Sequence, residues 1–539
     1  MLVSNVYFWR ESGYFEQIVD VKPLLHTWSL ALEEQFYLLF PFLLIAFKRF
    51  SRKSLVPAIL LLCGVSFSLS VYCSYKHPSV NFYLLPTRAW ELLIGSFLAA
   101  IPAQRASTRW LAELLSCGGF LAILCAVFFY DRETRFPGVA AILPCVGAVL
   151  VIWANGHTLT YVGKLLAARP IVFIGLISYS LYLWHWPVLV FSKYLALGPI
   201  PQSQRMLLLL ASMVIAILSW RFVETPFRKR IILKSRSQIF TFATITMAML
   251  FLAGLAVLKL QGLPSRFPAD VLRYADEKTD RPFLKESSLK EALNGDFIEL
   301  GTGDKHLPID LLVWGDSHAQ AVMPVLDILC KEHCIRGVAA WHPGTAPLVG
   351  YESKGRLSLK EESIAFNNAV VEFIRSKRVG DVVLVARWRA YGTGGETTQL
   401  QRGLLDTISA LKDTGARIWI MRQVPEHLWN VPHALASAVL HGHDPEELGL
   451  PLTEHHKAQR RQDQIFGGVS APGVTVLDPT DLFVSPKNLC RVAEGGKSLY
   501  RDKDHLSVAG AMMLRPLFEP IFERIVKSPA LVRSKGVSH

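Results

Sequence analysis

Residues 310–318 read DLLVWGDSH, and residues 319–329 read AQAVMPVLDIL. The first segment is a short apolar run that ends at a glycine, which predicts a strand, and the second segment predicts a helix. Ser317 then lies on a strand-to-helix turn, where Gly315 relieves backbone crowding. Because a helix amino terminus favours negative charge on a reacting oxygen, this turn suits a nucleophile.

Short β-rich runs separated by helical stretches continue towards the carboxyl terminus. Strands that alternate with helices are typical of an α/β sandwich with a parallel sheet. Active residues of such sheets gather at the carboxyl ends of the strands. We expect strands at 310–315, 379–387, 416–422 and 473–478, and helices near 319–331, 361–376 and 399–413.

A second polar motif, YRDKDHLS at 500–507, lies near the end of the same region. A serine hydroxyl needs a base to attack an acyl carbon, and that base needs a carboxylate to orient it. Asp502 and His505 are three residues apart, so a tight turn brings the carboxylate to the imidazole. We therefore predict Ser317 as nucleophile, His505 as base and Asp502 as its orienting residue, with the adjacent Asp504 as a rival for the last role.

The net charge is divided unevenly along the 539 residues. The chain is 51% hydrophobic with a formal charge of +13, which by itself suggests a nucleic-acid-binding protein. However, residues 1–260 carry 23 Lys and Arg against 10 Asp and Glu, whereas residues 261–539 carry 34 of each. The excess positive charge lies in the most apolar half, so no nucleic-acid partner is expected. A membrane domain followed by a neutral globular domain fits this division.

Apolar runs of about 17–25 residues are long enough to cross a bilayer. The two densest basic clusters fall on one side of the membrane if all runs cross, and that side should be cytoplasmic. One cluster follows the first run (Lys48, Arg49, Arg52 and Lys53), and the other follows the seventh (Arg228, Lys229, Arg230, Lys234 and Arg236). We expect eight spans, at 29–47, 56–75, 83–101, 111–130, 137–154, 170–191, 206–225 and 239–260.

This topology places both ends of the chain on the outer side. Residues 1–28 lack the basic start and apolar core of a signal peptide, so an odd number of further spans is expected upstream.

Ionisable residues inside spans are costly and suggest function. Glu33 and Glu34 lie one turn into the first span. Arg88 and Glu91 are three residues apart, so they share a helix face and can neutralise each other. His185 lies between two tryptophans, where it is either functional or part of an aromatic belt at the interface.

The cysteines and histidines outside the spans show no metal-binding pattern. Cys330, Cys334 and Cys490 permit one disulfide in an oxidising compartment, and the spacing does not identify the pair. His455 and His456 are adjacent and cannot form a helical chelate, so no metal is expected.

Several of these motifs resemble known families. GDSH with DKDHLS resembles the SGNH hydrolase/acyltransferase family, whose triad is formed by the serine of the first block and the Asp and His of the last. The segments HTWSLALEEQFYL, RAWELLIGSFLAA, IGLISYSLYLWHWPV and VETPFRK resemble the acyltransferase-3 family, and the fusion is similar to bacterial O-antigen and cell-envelope O-acetyltransferases.

The resemblance implies a multi-pass α-helical membrane domain (1–260), a linker (261–300) and an SGNH-like α/β sandwich in the periplasm (301–530). It implies that the membrane half, in the bacterial inner membrane, takes an acyl group, expected to be acetyl, from cytoplasmic acyl-CoA. The outer domain then transfers it to a hydroxyl of an envelope glycan.

The sequence departs from these families at three places. Nothing precedes HTWSL that corresponds to the helices in which the family carries an Arg and a His implicated in acyl transfer. The third SGNH block, usually GxND, is replaced by ARWR at 386–389. The second-block glycine, which with the Ser317 amide would hold the oxyanion, is at best Gly344.

Two other functions compete with acyl transfer. An SGNH esterase could use the membrane half as an anchor, but eight spans with intramembrane charges exceed what anchoring needs. A truncated chain could also be an inactive remnant or a regulatory partner.

Overall fold

The computed structural model describes most of the chain. Among the residues that the structure describes, those between 2 and 195 and between 200 and 248 form one compact unit, and those between 249 and 527 form another. Arg52 and Lys53 of the predicted basic cluster lie outside the described residues. The described ranges are 2–11, 22–50, 55–101, 108–131, 134–156, 158–195, 200–276, 282–355, 357–392, 397–467, 469 and 471–527.

The first unit is entirely helical over its described part. Its α-helices are α1 (Ser4–Glu11), α2 (Thr27–Phe50), α3 (Leu55–Lys76), α4 (Pro78–Tyr83), α5 (Leu85–Ala100), α6 (Arg109–Phe129), α7 (Ile142–Ala154), α8 (Tyr161–Leu166), α9 (Arg169–Leu195), α10 (Gln202–Ser219), α11 (Thr225–Arg228) and the first half of α12 (Arg236–Lys259), whose residues from Met249 onwards belong to the second unit. A π-helical turn, Trp220–Glu224, joins α10 to α11.

Six of the eight predicted spans are confirmed as helices long and apolar enough to cross a membrane. They are Thr27–Ala46, Leu55–Lys76, Arg109–Phe129, Arg169–Leu195, Gln202–Arg228 and Arg236–Lys259.

The predicted spans 83–101 and 137–154 correspond to shorter helices. Extended residues Leu84 and Ile101 limit α5 to 16 residues, and α7 has 13 residues after a single 3₁₀ turn. A spanning helix needs about 20 residues, so helix length does not support these two spans.

Close backbone approach holds α6 against α7. A Cβ on Gly119 would lie 2.6 Å from the Gly147 carbonyl oxygen, and a Cβ on Gly147 would lie 2.6 Å from that of Gly119. Small residues let membrane helices pack this closely.

The second unit surrounds a six-stranded sheet in the order β1-β3-β2-β4-β5-β7. All neighbours are parallel except β1, which pairs antiparallel with β3 at the edge. The strands of the six-stranded sheet are β1 (Ile298–Gly301), β2 (Ile309–Gly315), β3 (Arg336–Trp341), β4 (Asp381–Val385), β5 (Arg417–Met421) and β7 (Val474–Leu477). Two separate two-stranded sheets are formed by β6 (Leu450–Pro451) with β8 (Leu489–Cys490) and by β9 (Ala493–Glu494) with β10 (Lys497–Ser498).

The four predicted strands and three predicted helices are confirmed, with shifts of a few residues at their ends. The α-helices of this unit are α13 (Ala269–Asp276), α14 (Leu289–Asn294), α15 (Ser317–Glu332), α16 (Ser363–Lys377), α17 (Thr397–Lys412), α18 (Val431–Leu440), α19 (Leu452–Phe466), α20 (Val508–Met513) and α21 (Arg515–Lys527).

The segment predicted as a linker, 261–300, contains regular structure. It includes α13, α14 and most of edge strand β1. Its prolines do mark irregular backbone, but the capping box formed by Ser288 and Glu291 begins α14. Regular structure of the second unit therefore begins before residue 301, within the segment predicted as a linker.

Strand β2 lies at the centre of two hydrophobic cores. Leu311 and Val313 belong to the core on one face of the sheet, and Leu312 and Trp314 belong to the core on the other. Because successive side chains of a strand point to opposite faces, a strand buried on both faces is apolar throughout. The carboxyl end of β2 is thus fixed between β3 and β4.

Candidate active site

Gly315 ends β2 where the sheet leaves no room for a side chain. A Cβ at this position would lie 1.7 Å from the carbonyl oxygen of Val385 and 2.9 Å from the Ala319 Cβ. The predicted relief of crowding is present, and it permits the chain to turn directly into α15.

Asp316 anchors this turn from inside the protein. Its buried carboxylate accepts a hydrogen bond from the His318 amide at 2.8 Å, which caps α15. The other oxygen accepts from the Arg387 amide at 2.9 Å and from the Tyr391 hydroxyl at 2.7 Å. These bonds connect the turn after β2 to the segment after β4.

The structure brings Ser317, His505 and Asp502 together. Ser317 Oγ lies 2.7 Å from His505 Nε2, and His505 Nδ1 lies 2.8 Å from Asp502 Oδ2. Asp502 Oδ1 also accepts the amides of Asp504 and His505, at 3.0 and 2.8 Å. The Asp502 carboxylate is therefore held by its own loop, and the three side chains have the arrangement of a Ser-His-Asp triad.

Backbone hydrogen bonds fix the loop that carries the base. The Arg501 amide donates to the His505 carbonyl oxygen at 3.0 Å. The amide of His427 donates to the Lys503 carbonyl oxygen at 2.8 Å, and that of Val431 to the Asp502 carbonyl oxygen at 3.1 Å.

Asp504 makes charge contacts rather than replacing Asp502. Its Oδ1 lies 3.0 Å from His505 Nδ1, and its Oδ2 lies 2.9 Å from Arg387 Nη2. Neither oxygen has hydrogen-bond geometry in these contacts, whereas Asp502 Oδ2 does. The geometry therefore favours Asp502 as the orienting residue.

These charges shift the proton affinities of the site. Burial lowers the pKa of His505, but the charges of Asp502 and Asp504 outweigh it and raise this pKa to about 9. Burial raises the pKa of Asp502, but the facing His505 outweighs it, so the Asp502 pKa lies below its usual value. Burial and the neighbouring His505 lower the pKa of His318 to about 4. The two carboxylates therefore stabilise positive charge on the His505 ring.

One described side-chain cluster has metal-ligand composition: ligand atoms of His318, Asp504 and His505 lie within 4.8 Å of one another. Arg387 already pairs with Asp504, and both nitrogens of His505 face Ser317 or a carboxylate. These contacts fit an ion pair and a triad better than a cation site.

Gly344 adopts a left-handed turn, with φ +62°. A Cβ there would lie 3.4 Å from the Ser358 amide nitrogen. Its oxyanion role, like that of the Ser317 amide, stays a prediction.

Arg387 and Asp316 were not singled out by the sequence. Arg387 occupies the position where the third SGNH block would stand, and its guanidinium pairs with Glu426 as well as with Asp504. The sequence signal for Arg387 was the replacement of the usual GxND block by ARWR at 386–389.

In the first unit, Arg88 and Glu91 form the predicted ion pair. Arg88 Nη2 lies 2.8 Å and Nε 3.1 Å from the two carboxylate oxygens, so the contact is bidentate. The guanidinium carbon also lies 5.3 Å from the centre of the Trp28 ring and 5.8 Å from that of Phe82.

His185 packs against a histidine that the sequence analysis did not select. The ring centres of His26 and His185 are 5.7 Å apart, and Tyr182 lies 5.2 Å from His26. His26 is buried, and neither of its ring nitrogens has a hydrogen-bond partner among the described residues. The sequence signal for His26 was its position as the first residue of the HTWSL segment, which resembles the acyltransferase-3 family.

The other candidates stand apart from these clusters. Glu33 and Glu34 are exposed and have no ion-pair partner in the described part of the chain. All eight cysteines are free, and of the three in the second unit Cys330 and Cys490 are buried while Cys334 is exposed.

Two family models match most of the chain. The model described as an acyltransferase domain matches residues 1–221. The model described as an SGNH domain fused to AT3 domains matches residues 286–520.

Curated relatives match about two-fifths of the chain. The O-acetyltransferase OatA of Staphylococcus aureus strain NCTC 8325 is 32% identical over 243 residues, covering 42% of this chain and 40% of the relative. The peptidoglycan O-acetyltransferase OatA of Listeria monocytogenes is 32% identical over 242 residues, covering 42% and 39%. The matches thus span about 40% of the length of these relatives.

A solved structure matches about half of the chain. The periplasmic domain of a lipopolysaccharide acetyltransferase from Salmonella ser. Paratyphi A matches with 19% identity and a TM-score of 0.36, covering 48% of this chain and 98% of that one. The two family models and the helices of spanning length show a multi-pass membrane protein that combines an acyltransferase domain with a C-terminal SGNH domain.

Proposed function

We propose that this chain is a membrane-bound O-acyltransferase that moves an acetyl group to hydroxyls of a cell-envelope polysaccharide. The observation that carries the proposal is the 2.7 Å contact between Ser317 Oγ and His505 Nε2, with Asp502 behind the base, in a chain that also carries an acyltransferase membrane domain. The names of the matched relatives support the transferred group and the envelope acceptor.

In the first half-reaction, Ser317 becomes acylated. Its Oγ attacks the acyl carbon of the donor while His505 Nε2 takes the hydroxyl proton, and a tetrahedral oxyanion forms. When the bond to the leaving group breaks, His505 returns that proton to the leaving group. Asp502 stabilises the intervening imidazolium through Nδ1.

In the second half-reaction, the acyl group passes to the glycan. A sugar hydroxyl gives its proton to His505 Nε2 as its oxygen attacks the acyl-serine carbon. The bond to Ser317 Oγ then breaks, and Ser317 recovers the proton from His505. The serine and the base are thus regenerated, and one ester has replaced another.

The membrane half supplies the acyl group in this proposal. We propose cytoplasmic acyl-CoA as the donor and an inner-membrane location with the SGNH domain in the periplasm. The Arg88–Glu91 pair supports a role beyond anchoring, since a largely buried ion pair is costly without a function.

The test is envelope O-acetylation in cells that express the full chain. We expect Ser317→Ala to abolish acetylation, whereas Ser409→Ala, on an exposed part of α17, leaves it unchanged. Unchanged acetylation in Ser317→Ala would exclude the triad. Loss in Ser317→Ala without loss in Glu91→Ala would argue against the role of the membrane half.

The same experiment separates transfer from ester hydrolysis. An esterase would remove acyl groups, so its Ser317→Ala variant would show more envelope acetylation than the wild type. A transferase variant shows less.

A further inference from the structure

Two carboxylates face the same nitrogen of His505. Asp502 Oδ2 lies 2.8 Å from Nδ1 and accepts its hydrogen bond, while Asp504 Oδ1 lies 3.0 Å away without that geometry. The imidazole has one Nδ1–H, so orientation requires only one of them. The second is also the more deeply buried, since the Asp504 side chain is 1% exposed and that of Asp502 is 28% exposed.

Arg387 is the counter-ion of this second carboxylate. Its Nη2 lies 2.9 Å from Asp504 Oδ2, and the same guanidinium pairs with Glu426. A buried carboxylate without a partner is strongly unfavourable, so Arg387 permits Asp504 to remain charged beside the base. Arg387 comes from the end of β4 and Asp504 from the final loop, so the pair joins the two segments around the triad.

We propose that Asp504 and Arg387 are a positioning pair for the base: Asp504 stabilises the imidazolium formed when His505 takes the serine proton, and Arg387 limits that stabilisation by neutralising part of the Asp504 charge. Both act through His505, so neither is a catalytic residue. The inference rests on the proposed roles of Ser317 and His505.

The groups around His505 give the pair a definite electrostatic effect. Asp502 and Asp504 face Nδ1, and Ser317 faces Nε2. The His318 ring lies beside the His505 ring, with centres 4.7 Å apart and planes tilted by 38°. Behind them, Arg387 pairs with Asp504, while Asp316 accepts from the Arg387 amide, and Glu426 faces Arg387, Arg389 and Lys503.

The two members of the pair affect the base in opposite directions. The carboxylates oppose the effect of burial and raise the pKa of His505 to about 9, to which Asp504 contributes. Removal of the Asp504 charge should lower this pKa, and removal of the Arg387 charge should raise it. A purely structural role would not produce opposite shifts.

The test measures how fast Ser317 reacts with phenylmethylsulfonyl fluoride as a function of pH, using the purified full chain in detergent. This reaction needs neutral His505, so its rate rises with pH to a midpoint at the pKa of the base. We expect Asp504→Asn to move the midpoint down by roughly 1–3 pH units, the usual effect of one nearby charge. Arg387→Gln should move it up, and Arg387→Lys should keep it near the wild-type value.

Matched surface variants control for charge alone. Glu447 and Lys487 form an exposed ion pair, so Glu447→Gln and Lys487→Gln remove the same charges without approaching the site and should leave the midpoint unchanged. Thermal unfolding of each variant identifies any that do not fold, and the isosteric Asp504→Asn tests the carboxylate charge even if the Arg387 variants unfold.

Two results would overturn the inference. An unchanged midpoint in folded Asp504→Asn would exclude a role for its charge, and a downward shift in Arg387→Gln would exclude the counter-ion role. Modification that persists in Ser317→Ala would instead show that the serine assignment has failed, so the two failures are distinguishable.

Discussion

The two units each contain a partly buried Arg–carboxylate pair, and the pairs differ in how the chain forms them. Arg88 and Glu91 are three residues apart on α5, with side chains 14% and 19% exposed. Arg387 and Asp504 come from distant segments, and Asp504 is almost fully buried. The first pair follows from helix geometry alone, whereas the second exists only after the sheet and the final loop have assembled. Residue spacing along a helix thus predicts the ion pair of the first unit, whereas the ion pair of the second unit depends on tertiary packing.

The largest effect is expected from substitution of Asp502, the carboxylate that accepts a hydrogen bond from His505 Nδ1. Asp502→Asn should reduce the rate of Ser317-dependent acyl transfer roughly 10⁴-fold, because the amide favours the wrong tautomer of the base. The rate of transfer by the purified full chain measures this. Asp481→Asn, at an exposed aspartate, is the control. Transfer at a tenth of the wild-type rate would favour Asp504 as the orienting residue.

Asp316 tests how far the second unit depends on long-range bonds. Asp316→Ala leaves two amides and the Tyr391 hydroxyl without their acceptor, so we expect a loss of about 3–5 kcal/mol in the free energy of unfolding. Thermal unfolding of the full chain measures it, with Asp316→Asn expected to lose less. A change below 1 kcal/mol would mean that water replaces the carboxylate.

The membrane pair should show strong coupling in spite of its local origin. Arg88→Gln or Glu91→Gln leaves one largely buried charge without its partner, at a cost of about 3 kcal/mol. The double variant should be more stable than either single variant. A double-mutant cycle in detergent measures the coupling, and additive losses would mean that the two charges act independently.

The base also makes stability dependent on pH. The folded-state pKa of His505 is raised to about 9, against 6.5 for an unperturbed histidine. Its contribution, on the order of 3 kcal/mol, is therefore complete below pH 6.5 and is lost as the pH rises through about 9. Thermal unfolding between pH 6 and 10 should show this loss, and His505→Gln should remove it. If His505→Gln shows the same loss of stability with rising pH, that loss arises from other titratable groups.

The smallest effect is expected from an exposed pair. Glu523 and Lys527 lie one turn apart on α21, both largely exposed. Glu523→Gln should change the free energy of unfolding by less than about 0.5 kcal/mol, since solvent screens such pairs. A larger change, measured by the same thermal unfolding, would show that spacing along a helix, rather than burial, determines how much an ion pair stabilises this protein.

The sequence predicted those features that depend on nearby residues. The apolar run 310–315 identified β2, the following GDS placed Ser317 on its turn, and the three-residue spacing within DKDH placed Asp502 on His505. The pairing of Arg88 with Glu91 followed from the same kind of spacing.

Other features depend on packing that a single segment does not encode. Strand β3 reads RGVAAW, which is poor in β-branched residues. The structure explains its glycine, because a Cβ on Gly337 would lie 3.1 Å from Cys330 Sγ on α15. The lengths of α5 and α7, the burial of His26 and the contacts of Arg387 likewise arise between segments.

Ser317 and His505 are separated by 188 residues of sequence although their side chains touch. The loop between them must therefore close before the nucleophile has a base, and closing a long loop is entropically costly and slow. During synthesis, the serine is made long before its partner, so the emerging chain has no activated nucleophile. Acquisition of Ser317 reactivity consequently reports that these two distant segments have come together, and a time course of that reactivity would follow this step of folding.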